Sequence, residues 1–306
     1  MSAPKTVPET VLVGEDAVAV ARRRSWMAPF AGLGRLLGGF GGMVGAVLLG
    51  TLVASALLAP WIAPFDWNET GVGMRLAAPD GTHWMGTDLY GRDLFSRIVY
   101  GGRYSLSIGV ATVAISLVFG ASFGAMMGFF GGRLDSIGGR VVDVLLGFPP
   151  LVLAILVVAV LGVGLWTAGL AVGIAGIPRF ARVVRGATLS ITAQPYIDGA
   201  RAAGTSVPMI LLRHVLPNLM PTLIVLSTLE LGGAILATAT LSFLGLGAQP
   251  PTPEWGAMLN AGREYVRYAP GTMIFPGLAL FLTVMGVNLI GDRLAEILDP
   301  RLRSRH

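Results

Sequence analysis

Residues 144–178 read VLLGFPPLVLAILVVAVLGVGLWTAGLAVGIAGIP and contain no Asp, Glu, Lys or Arg. As one α-helix this run would be about 52 Å long at ~1.5 Å per residue, whereas the hydrocarbon core of a bilayer is about 30 Å thick. The run must therefore fold back, and Gly162-Val163-Gly164 is the natural break. The sequence predicts two membrane spans here, over residues 141–161 and 165–182.

The composition of the whole chain also indicates that it lies in a lipid bilayer. The chain has 306 residues, of which 54% are hydrophobic and 13% charged, and its mean hydropathy is +0.71. These values exclude a soluble globule, a disordered chain and a large aqueous catalytic domain. Four further spans are predicted, which gives an all-α membrane protein with six transmembrane helices; they cover residues 42–63, 104–130, 219–244 and 271–291.

The polar segments define the remaining organisation. We expect an N-terminal tail over 1–35, a first transmembrane helix within 36–63, an external loop over 64–103, a five-helix core over 104–291 and a C-terminal tail over 292–306. Ala54-Ser55-Ala56 resembles a signal-peptidase site. The tail before it is long for a signal peptide, so an uncleaved anchor is the better interpretation.

The distribution of basic residues predicts the orientation. With both termini in the cytoplasm, the inner segments hold 16 of the 22 Lys and Arg residues and the outer loops hold 6, as the positive-inside rule requires. This scatter over short loops argues against a nucleic-acid partner. The chain has no cysteine and only three histidines, His83, His214 and His306, so Cys-ligated metals are excluded and no metal site is expected.

One predicted cytoplasmic segment is unusually rich in small residues. It reads YIDGARAAGTS over 196–206 and is followed by RHVLPN over 213–218. The small residues suit a helix that ends at Gly204, and Ser206 and Pro208 suit the start of the next helix. Such a helix allows the backbone of another protein to approach closely. An amphipathic hairpin that rests on the membrane surface is the alternative.

This segment resembles a signature of the membrane subunits of binding-protein-dependent ABC importers. The signature is Glu-Ala-Ala, three residues, Gly, nine residues, then Ile-x-Leu-Pro, and it matches Asp198-Gly199-Ala200, Gly204 and His214-Val215-Leu216-Pro217 in spacing throughout. Asp198, Gly199 and His214 depart from its letters. Asp198 is shorter than Glu but keeps the carboxylate, so the resemblance still predicts docking at this helix.

Two more stretches narrow the resemblance to a subgroup. GTDLYGRDLFSR over 86–97 and LSFLGLG over 241–247 look like the second, C-type permease of dipeptide, oligopeptide and nickel importers. The resemblance covers residues 36–300 and implies the type I ABC importer permease fold, with 186–217 as a cytoplasmic coupling segment. Its expected contacts with an ATPase are Tyr196, Asp198, Gly199, Ala200, Ala203, Gly204, Leu216 and Pro217.

The resemblance also implies the working context of the chain. The implied partners are a homologous second permease, two cytosolic ATPase domains, an extracytoplasmic solute-binding protein, membrane lipid and a short peptide as substrate, in a bacterial inner membrane. Lys5 is the only lysine, so the chain has no Gly-x4-Gly-Lys-Ser/Thr phosphate loop. We therefore expect no enzyme activity and no cofactor in this chain, with ATP and Mg²⁺ bound by the partner subunits.

Two alternative functions remain open from the sequence. Within the same subgroup, the substrate is nickel or another small solute. In a different class, the chain is a proton-coupled secondary transporter that uses Glu230 as its proton-carrying carboxylate.

Polar residues inside the predicted spans are candidates for the translocation pathway. Glu230 lies midway along the fifth span, where a charged side chain costs about 2.5–3.5 kcal/mol on insertion scales. It either lines the pathway and attracts a peptide amino terminus, or packs against a neighbouring helix. Ser242 and Asn288 are further pathway candidates, although Asn288 also suits an interhelical hydrogen bond.

Other charged residues and prolines have two interpretations each. Asp88, Arg92 and Asp93 in the external loop form a docking surface for the binding protein, or pair with one another and hold the fold of the loop. Asp143 is expected to pair with Arg140. The pair Pro149-Pro150 predicts a hinge or a fixed kink.

Overall fold

The structure, a computed structural model, describes residues 39–298. Within this range every regular element is a helix, and the one isolated bridge joins Thr87 and Asp93. The predicted tail over 1–35 lies outside the described residues. The helices, numbered in chain order, are α1 Phe40–Leu57, α2 Ala59–Ile62, α3 Leu94–Phe130, α4 Gly132–Leu146, α5 Pro150–Leu161, α6 Leu165–Thr192, α7 Pro195–Ala202, α8 Val207–Phe243, α9 Trp255–Gly262 and α10 Gly271–Leu298.

Five of the described helices are long and apolar enough to cross a membrane: α1, α3, α6, α8 and α10. A sixth crossing is obtained only if α4 and α5 are taken together, and these two helices are bent by 93°. The predicted span over 141–161 thus consists of two helices, and the bend predicted at Pro149-Pro150 is present. The break falls at Gly147-Phe148-Pro149, because Pro149 and Pro150 lack the amide hydrogens that would continue α4.

The fold-back predicted at Gly162-Val163-Gly164 is confirmed. Helix α5 ends at Leu161 and α6 begins at Leu165. Gly162 has a φ of 90°, a value that side chains with a Cβ atom rarely adopt.

Helices α3 and α6 form the tightest pair of the bundle because glycines line their contact. Gly120, Gly124 and Gly128 recur every fourth residue on one face of α3. A Cβ atom at Gly124 would lie 2.4 Å from the carbonyl oxygen of Ala181 on α6. This is the small-residue spacing that lets membrane helices approach backbone to backbone.

Helix α8 contains one wide turn near its start. Residues Leu211–Val215 form a π-helix, in which the amide of Leu216 donates to the carbonyl of Leu211. Pro217 follows directly and cannot donate an amide hydrogen, and its ring crowds the carbonyl four residues earlier. The wider turn accommodates this proline without breaking the helix.

Several helix ends differ from the predicted boundaries. Helix α3 begins at Leu94, ten residues before the predicted start at residue 104, because the side chain of Asp93 caps it. Helix α6 continues to Thr192, well past the predicted residue 182. Arg182 ends the predicted span and Arg185 lies on the extension, and ion pairs to α4 compensate both charges.

The bundle has two distinct ends. The α7 end carries α7, the start of α8 and the end of α10, whose Arg293 lies beside Gly39 before α1. The opposite end carries the segment 64–93 and α9; we call it the loop end. Trp255 of α9 is 2% exposed and donates its indole hydrogen to the carbonyl of Ile98, which fastens α9 to α3.

Candidate functional site

Helix α7 owes its end to Gly204. Gly204 has a φ of 75°, and the amides of Thr205 and Gly204 donate to the carbonyls of Ala200 and Arg201 at 3.1 and 3.0 Å. This is the Schellman arrangement, which satisfies the last carbonyls of a helix and strongly favours glycine. The chain can therefore turn sharply and enter α8 at Val207.

One apolar side chain fastens α7 to the bundle. Ile197 is completely buried in a cluster with Val184 of α6 and with Ile210, Val215 and Leu219 of α8. Burial of one isoleucine contributes roughly 1.5–3 kcal/mol. A shift of α7 would therefore be transmitted to both α6 and α8.

Two further contacts hold the ends of α7. The guanidinium of Arg201 lies 5.5 Å from the centre of the Phe129 ring on α3. Asn218 of α8 donates to the Tyr196 hydroxyl at 3.5 Å. Helix α7 is thus in contact with α3, α6 and α8 although it has only eight residues.

The remaining face of α7 is open and nearly free of large side chains. Asp198, Gly199, Ala203 and Gly204 are exposed, and a Cβ atom at Gly199 or Gly204 would meet nothing within 4 Å. Ala200 is half-buried. The structure thus brings the predicted contact residues of this helix together on one surface.

The start of α8 extends that surface. Leu216 is 42% exposed and Pro217 is exposed, whereas Tyr196 at the other end of α7 is 45% exposed. We call the surface formed by Tyr196, Asp198, Gly199, Ala200, Ala203, Gly204, Leu216 and Pro217 the coupling surface. It offers an apolar rim, one carboxylate and a small-residue centre to another molecule.

A row of ion pairs runs along α6. Arg179, Arg182 and Arg185 follow one another at intervals of three residues and pair with Glu230 of α8, Asp143 of α4 and Asp135 of α4. The expected pairing of Asp143 with Arg140 is wrong, because Asp143 pairs with Arg182 of α6 instead. Local sequence could not predict these partners, since the pairs join residues 39 to 51 positions apart.

The three pathway candidates do not lie together. Glu230 pairs with Arg179, whose Nε lies 2.8 Å from its Oε1. Ser242 is 1% exposed and its hydroxyl accepts from the amide of Ala248 at 3.1 Å, so it holds the turn after α8. Asn288 of α10 is exposed and lies against Gly232, on a different face of α8 from Glu230.

Charged residues at the loop end are largely satisfied by one another. Asp88 accepts from Nε of Arg92 at 2.6 Å and lies 3.6 Å from Nε of Arg97. Asp93 is 1% exposed and pairs with His83. The burial of Arg92, Arg97 and Asp93 favours the interpretation that these charges hold the fold of the segment.

A cavity opens beside this charge cluster. It has a volume of about 300 Å³ and lies between the segment 64–93 and the connection that contains α9. Asp88, Arg92 and Arg97 line one wall, and Arg263 and Glu264 line the other. Among the described residues, no group of three or more His, Cys, Asp or Glu side chains is placed to hold a metal ion.

Comparison with known families identifies the chain. The family model of binding-protein-dependent transport system inner membrane components matches residues 120–304. The chain belongs to this family. The model for the N-terminal transmembrane domain of oligopeptide transport permease C also matches this permease, over residues 41–79.

Curated relatives cover most of the permease. It is 42% identical over 262 residues to the dipeptide transport system permease protein DppC of Alkalihalophilus pseudofirmus. This alignment covers 86% of each chain. The permease is 45% identical over 263 residues to the glutathione transport system permease protein GsiD of Escherichia coli, covering 86% of this chain and 87% of that protein. GsiD of Pectobacterium atrosepticum is also 45% identical, over 254 residues.

A solved structure has the same fold. The permease matches a chain of the MetNI methionine ABC transporter, determined in an inward-facing conformation, with a TM-score of 0.55 and 21% identity. The match covers 67% of this chain and 98% of that one. At this identity the likeness concerns the fold alone.

These comparisons confirm the predicted family, the all-helical ABC importer permease fold and the role of transport subunit rather than enzyme. The permease is a multi-pass protein of the inner membrane. As a component of a binding-protein-dependent system, it works with a binding protein and an ATPase.

Proposed function

We propose that the chain is the membrane-spanning subunit through which an ATP-driven importer moves short peptides. The coverage of 86% by a dipeptide permease and by glutathione permeases supports a peptide as cargo, since glutathione is itself a modified tripeptide. The alternative cargo within the subgroup is nickel or another small solute. Competition among radiolabelled dipeptide, glutathione and Ni²⁺ for uptake by the assembled transporter distinguishes them.

The coupling surface is the observation on which this proposal mainly rests. A helix with exposed Gly199 and Gly204 stands at one end of the bundle and is anchored by the buried Ile197. In the proposal, each of two ATPase domains docks on such a surface, one on this chain and one on a homologous second permease. ATP and Mg²⁺ are bound there, and closure of the ATPases moves α7 against α6 and α8.

This proposal places the α7 end in the cytoplasm. The end of α10 lies at the α7 end, and Arg293 lies beside Gly39 there, so both described chain ends point to the same side. Arg182, Arg185 and Arg201 also lie in the part of the bundle near α7, which agrees with the excess of basic residues on cytoplasmic faces. Both termini are accordingly cytoplasmic in the proposal.

The loop end would then receive the binding protein. Asp88, whose side chain is 14% exposed, lines the cavity together with Arg92, while the buried Asp93 caps α3 next to them. Tyr90 is 51% exposed beside them. Exposed aromatic rings are enriched at protein interfaces.

The test of ATPase docking is a matched pair of glycine variants in the complete transporter. Gly199→Trp adds bulk to the coupling surface, where a side chain meets nothing of this chain within 4 Å. Gly81→Trp adds the same bulk at the loop end, also at a position with no neighbour within 4 Å. We expect the first variant to lose the ATPase on copurification and the second to retain it, with both chains folded.

Retention of the ATPase by Gly199→Trp would contradict the docking assignment. Gly204→Trp should also block docking without unfolding the spans. Because the φ of Gly204 is 75°, that variant also strains the turn, which makes Gly199 the cleaner position. Uptake that persists with an ATPase-dead partner and follows a proton gradient would favour the secondary transporter instead.

A further inference from the structure

Arg179 and Glu230 form an ion pair in the middle of the bundle. Arg179 is 14 residues from the start of α6 and 13 from its end, and Glu230 is 13 residues from the end of α8 at Phe243. At ~1.5 Å per residue both charges lie about 20 Å from the loop-end termini of α6 and α8. The pair therefore lies within the predicted spans of both helices, nearer to the α7 end than to the loop end.

The arginine of this pair is not covered by its own chain. The side chain of Arg179 is 66% exposed, whereas that of Glu230 is 20% exposed. Acyl chains cannot solvate a guanidinium, so charged residues at this depth face a water-filled space or protein. The two candidates for what lies against Arg179 are therefore the translocation pathway and the partner permease.

The neighbouring charges favour the pathway. Arg182 lies one turn further along α6 and pairs with Asp143, and their side chains are 55% and 67% exposed. Arg185 follows with Asp135. The three arginines and their partners thus form a polar row along α6, in which Arg182 and Asp143 are largely exposed. Such a row is expected where the wall of the translocation pathway is in contact with water.

The contact with Glu230 uses Nε of Arg179 and leaves the two terminal nitrogens of the guanidinium available. Nε of Arg179 faces Oε1 of Glu230 at 2.8 Å. Within residues 39–298, no hydrogen-bond acceptor lies against the two terminal nitrogens of this guanidinium. A guanidinium held at Nε presents the edge that binds a carboxylate with two parallel hydrogen bonds.

Open space lies one helical turn from Glu230 on α8. Gly233 follows Glu230 by one helical turn, and a Cβ atom there would meet nothing within 4 Å. Gly233 is also exposed. A small ligand can therefore approach Arg179 along the side of α8.

We propose that Arg179 binds the carboxylate of a peptide in the translocation pathway and that Glu230 is the positioning residue that orients it. This inference rests on the proposed function, because it takes a peptide as cargo. It adds to that function a recognition step inside the membrane, for ligands that keep a free carboxyl terminus.

The test uses the natural absence of cysteine from this chain. Gly233→Cys places a thiol beside the pair and leaves Arg179 and Glu230 intact. The complete transporter in vesicles is treated with a charged, water-soluble thiosulfonate reagent, and labelling of this chain is followed on a gel. We expect labelling, and we expect alanylalanine to slow it about tenfold while the C-terminal amide of alanylalanine does not.

Two further variants complete the design. Adding Arg179→Gln to Gly233→Cys should abolish the protection by alanylalanine. Ile174→Cys is the control at an exposed apolar position of α6, five residues before Arg179 and about 140° around the helix from it. Neither alanylalanine nor its amide should protect this thiol.

Three results would overturn the inference: no labelling of Gly233→Cys in any nucleotide state, equal protection by alanylalanine and its amide, or protection that survives Arg179→Gln. The first of these would assign the pair to the interface with the partner permease or to lipid. ATP-dependent uptake of alanylalanine by the wild-type transporter is measured in the same vesicles. Its absence contradicts the peptide function and this inference together, whereas normal uptake with an unprotected thiol contradicts the inference alone.

Discussion

The carboxylate of Asp93 lies 3.0 Å from Nδ1 of His83, and both side chains are buried. The other carboxylate oxygen accepts hydrogen bonds from the amide and the hydroxyl of Ser96, each at 2.8 Å. One side chain therefore caps a helix of 37 residues and fastens the segment 64–93 to it.

Replacement of this carboxylate should destabilise the loop end. Asp93→Ala removes a helix cap and leaves buried donors without an acceptor, so we expect the free energy of unfolding to fall by about 2 kcal/mol or more. The measurement is thermal unfolding of the purified transporter. Asp66→Ala is the matched control, because the Asp66 carboxylate accepts the amide of Asn68 at an exposed turn. An equal loss of stability in both variants would show that Asp93 has no special role.

The glycines of α3 give a second prediction. A Cβ atom at Gly124 would lie 2.4 Å from the carbonyl oxygen of Ala181 and 3.0 Å from its Cα atom. Gly124→Ala should therefore force α3 and α6 apart and cost about 1–3 kcal/mol. Lower thermal stability of the detergent-solubilised transporter reports this loss.

Ser122→Ala provides the control on the same helix. Ser122 is exposed, so its replacement should change the stability by less than about 0.5 kcal/mol. Unchanged stability in Gly124→Ala would mean that the two helices separate without cost, contrary to the close packing.

The spans of this fold follow from local sequence, while their bends and extensions do not. Absence of charge over 144–178 requires a fold-back, and Gly162 supplies the turn. The start of α3 at Leu94 could not be predicted from hydropathy, because the turn before it depends on Asp93 meeting His83. The extension of α6 to Thr192 depends on ion pairs to α4, a helix far away in sequence.

The candidate site was predictable to a similar extent. The spacing from Asp198 to Gly204 already indicates a helix with small residues and a glycine end, and the structure has a helix over Pro195–Ala202. The anchoring role of Ile197 was not visible, since an isoleucine in a polar stretch carries no signal of its own. The partner of Glu230 could not be predicted, because Arg179 lies near the end of a different predicted span, 51 positions away in sequence.

The buried carboxyl group of Glu254 should make the stability of the permease depend on pH. Its carboxylate is 1% exposed and accepts from the amides of Gly256 and Ala257 at 3.0 and 2.9 Å. Burial raises the pKa of the Glu254 carboxyl, and these two amides act in the opposite direction. The folded state thus holds its proton more tightly than the unfolded state, so this contribution to stability is present at low pH. It declines as the pH rises from about 4.3, the ordinary pKa of Glu, through the higher folded pKa.

Glu254→Gln tests this sign, because the amide does not titrate. The stability of the wild type relative to the variant should fall as the pH is raised from 4 to 8, measured by thermal unfolding at each pH. Glu69→Gln, at an exposed position of the segment 64–93, is the control. A wild-type advantage that grows with pH at position 254 would contradict the assignment.

Asp135 and Arg185 predict a rescue by exchange of charge. Two hydrogen bonds join their side chains, one of them at 2.7 Å, and they connect α4 to α6 at the α7 end of the bundle. Asp135→Arg places two cations together and should lower stability by about 1 kcal/mol, since the pair is partly exposed. Asp135→Arg with Arg185→Asp restores opposite charges in the same place and should recover most of that loss. If the double variant is instead as unstable as the sum of the two single variants, the two residues do not interact and α4 is held against α6 by its apolar side chains alone.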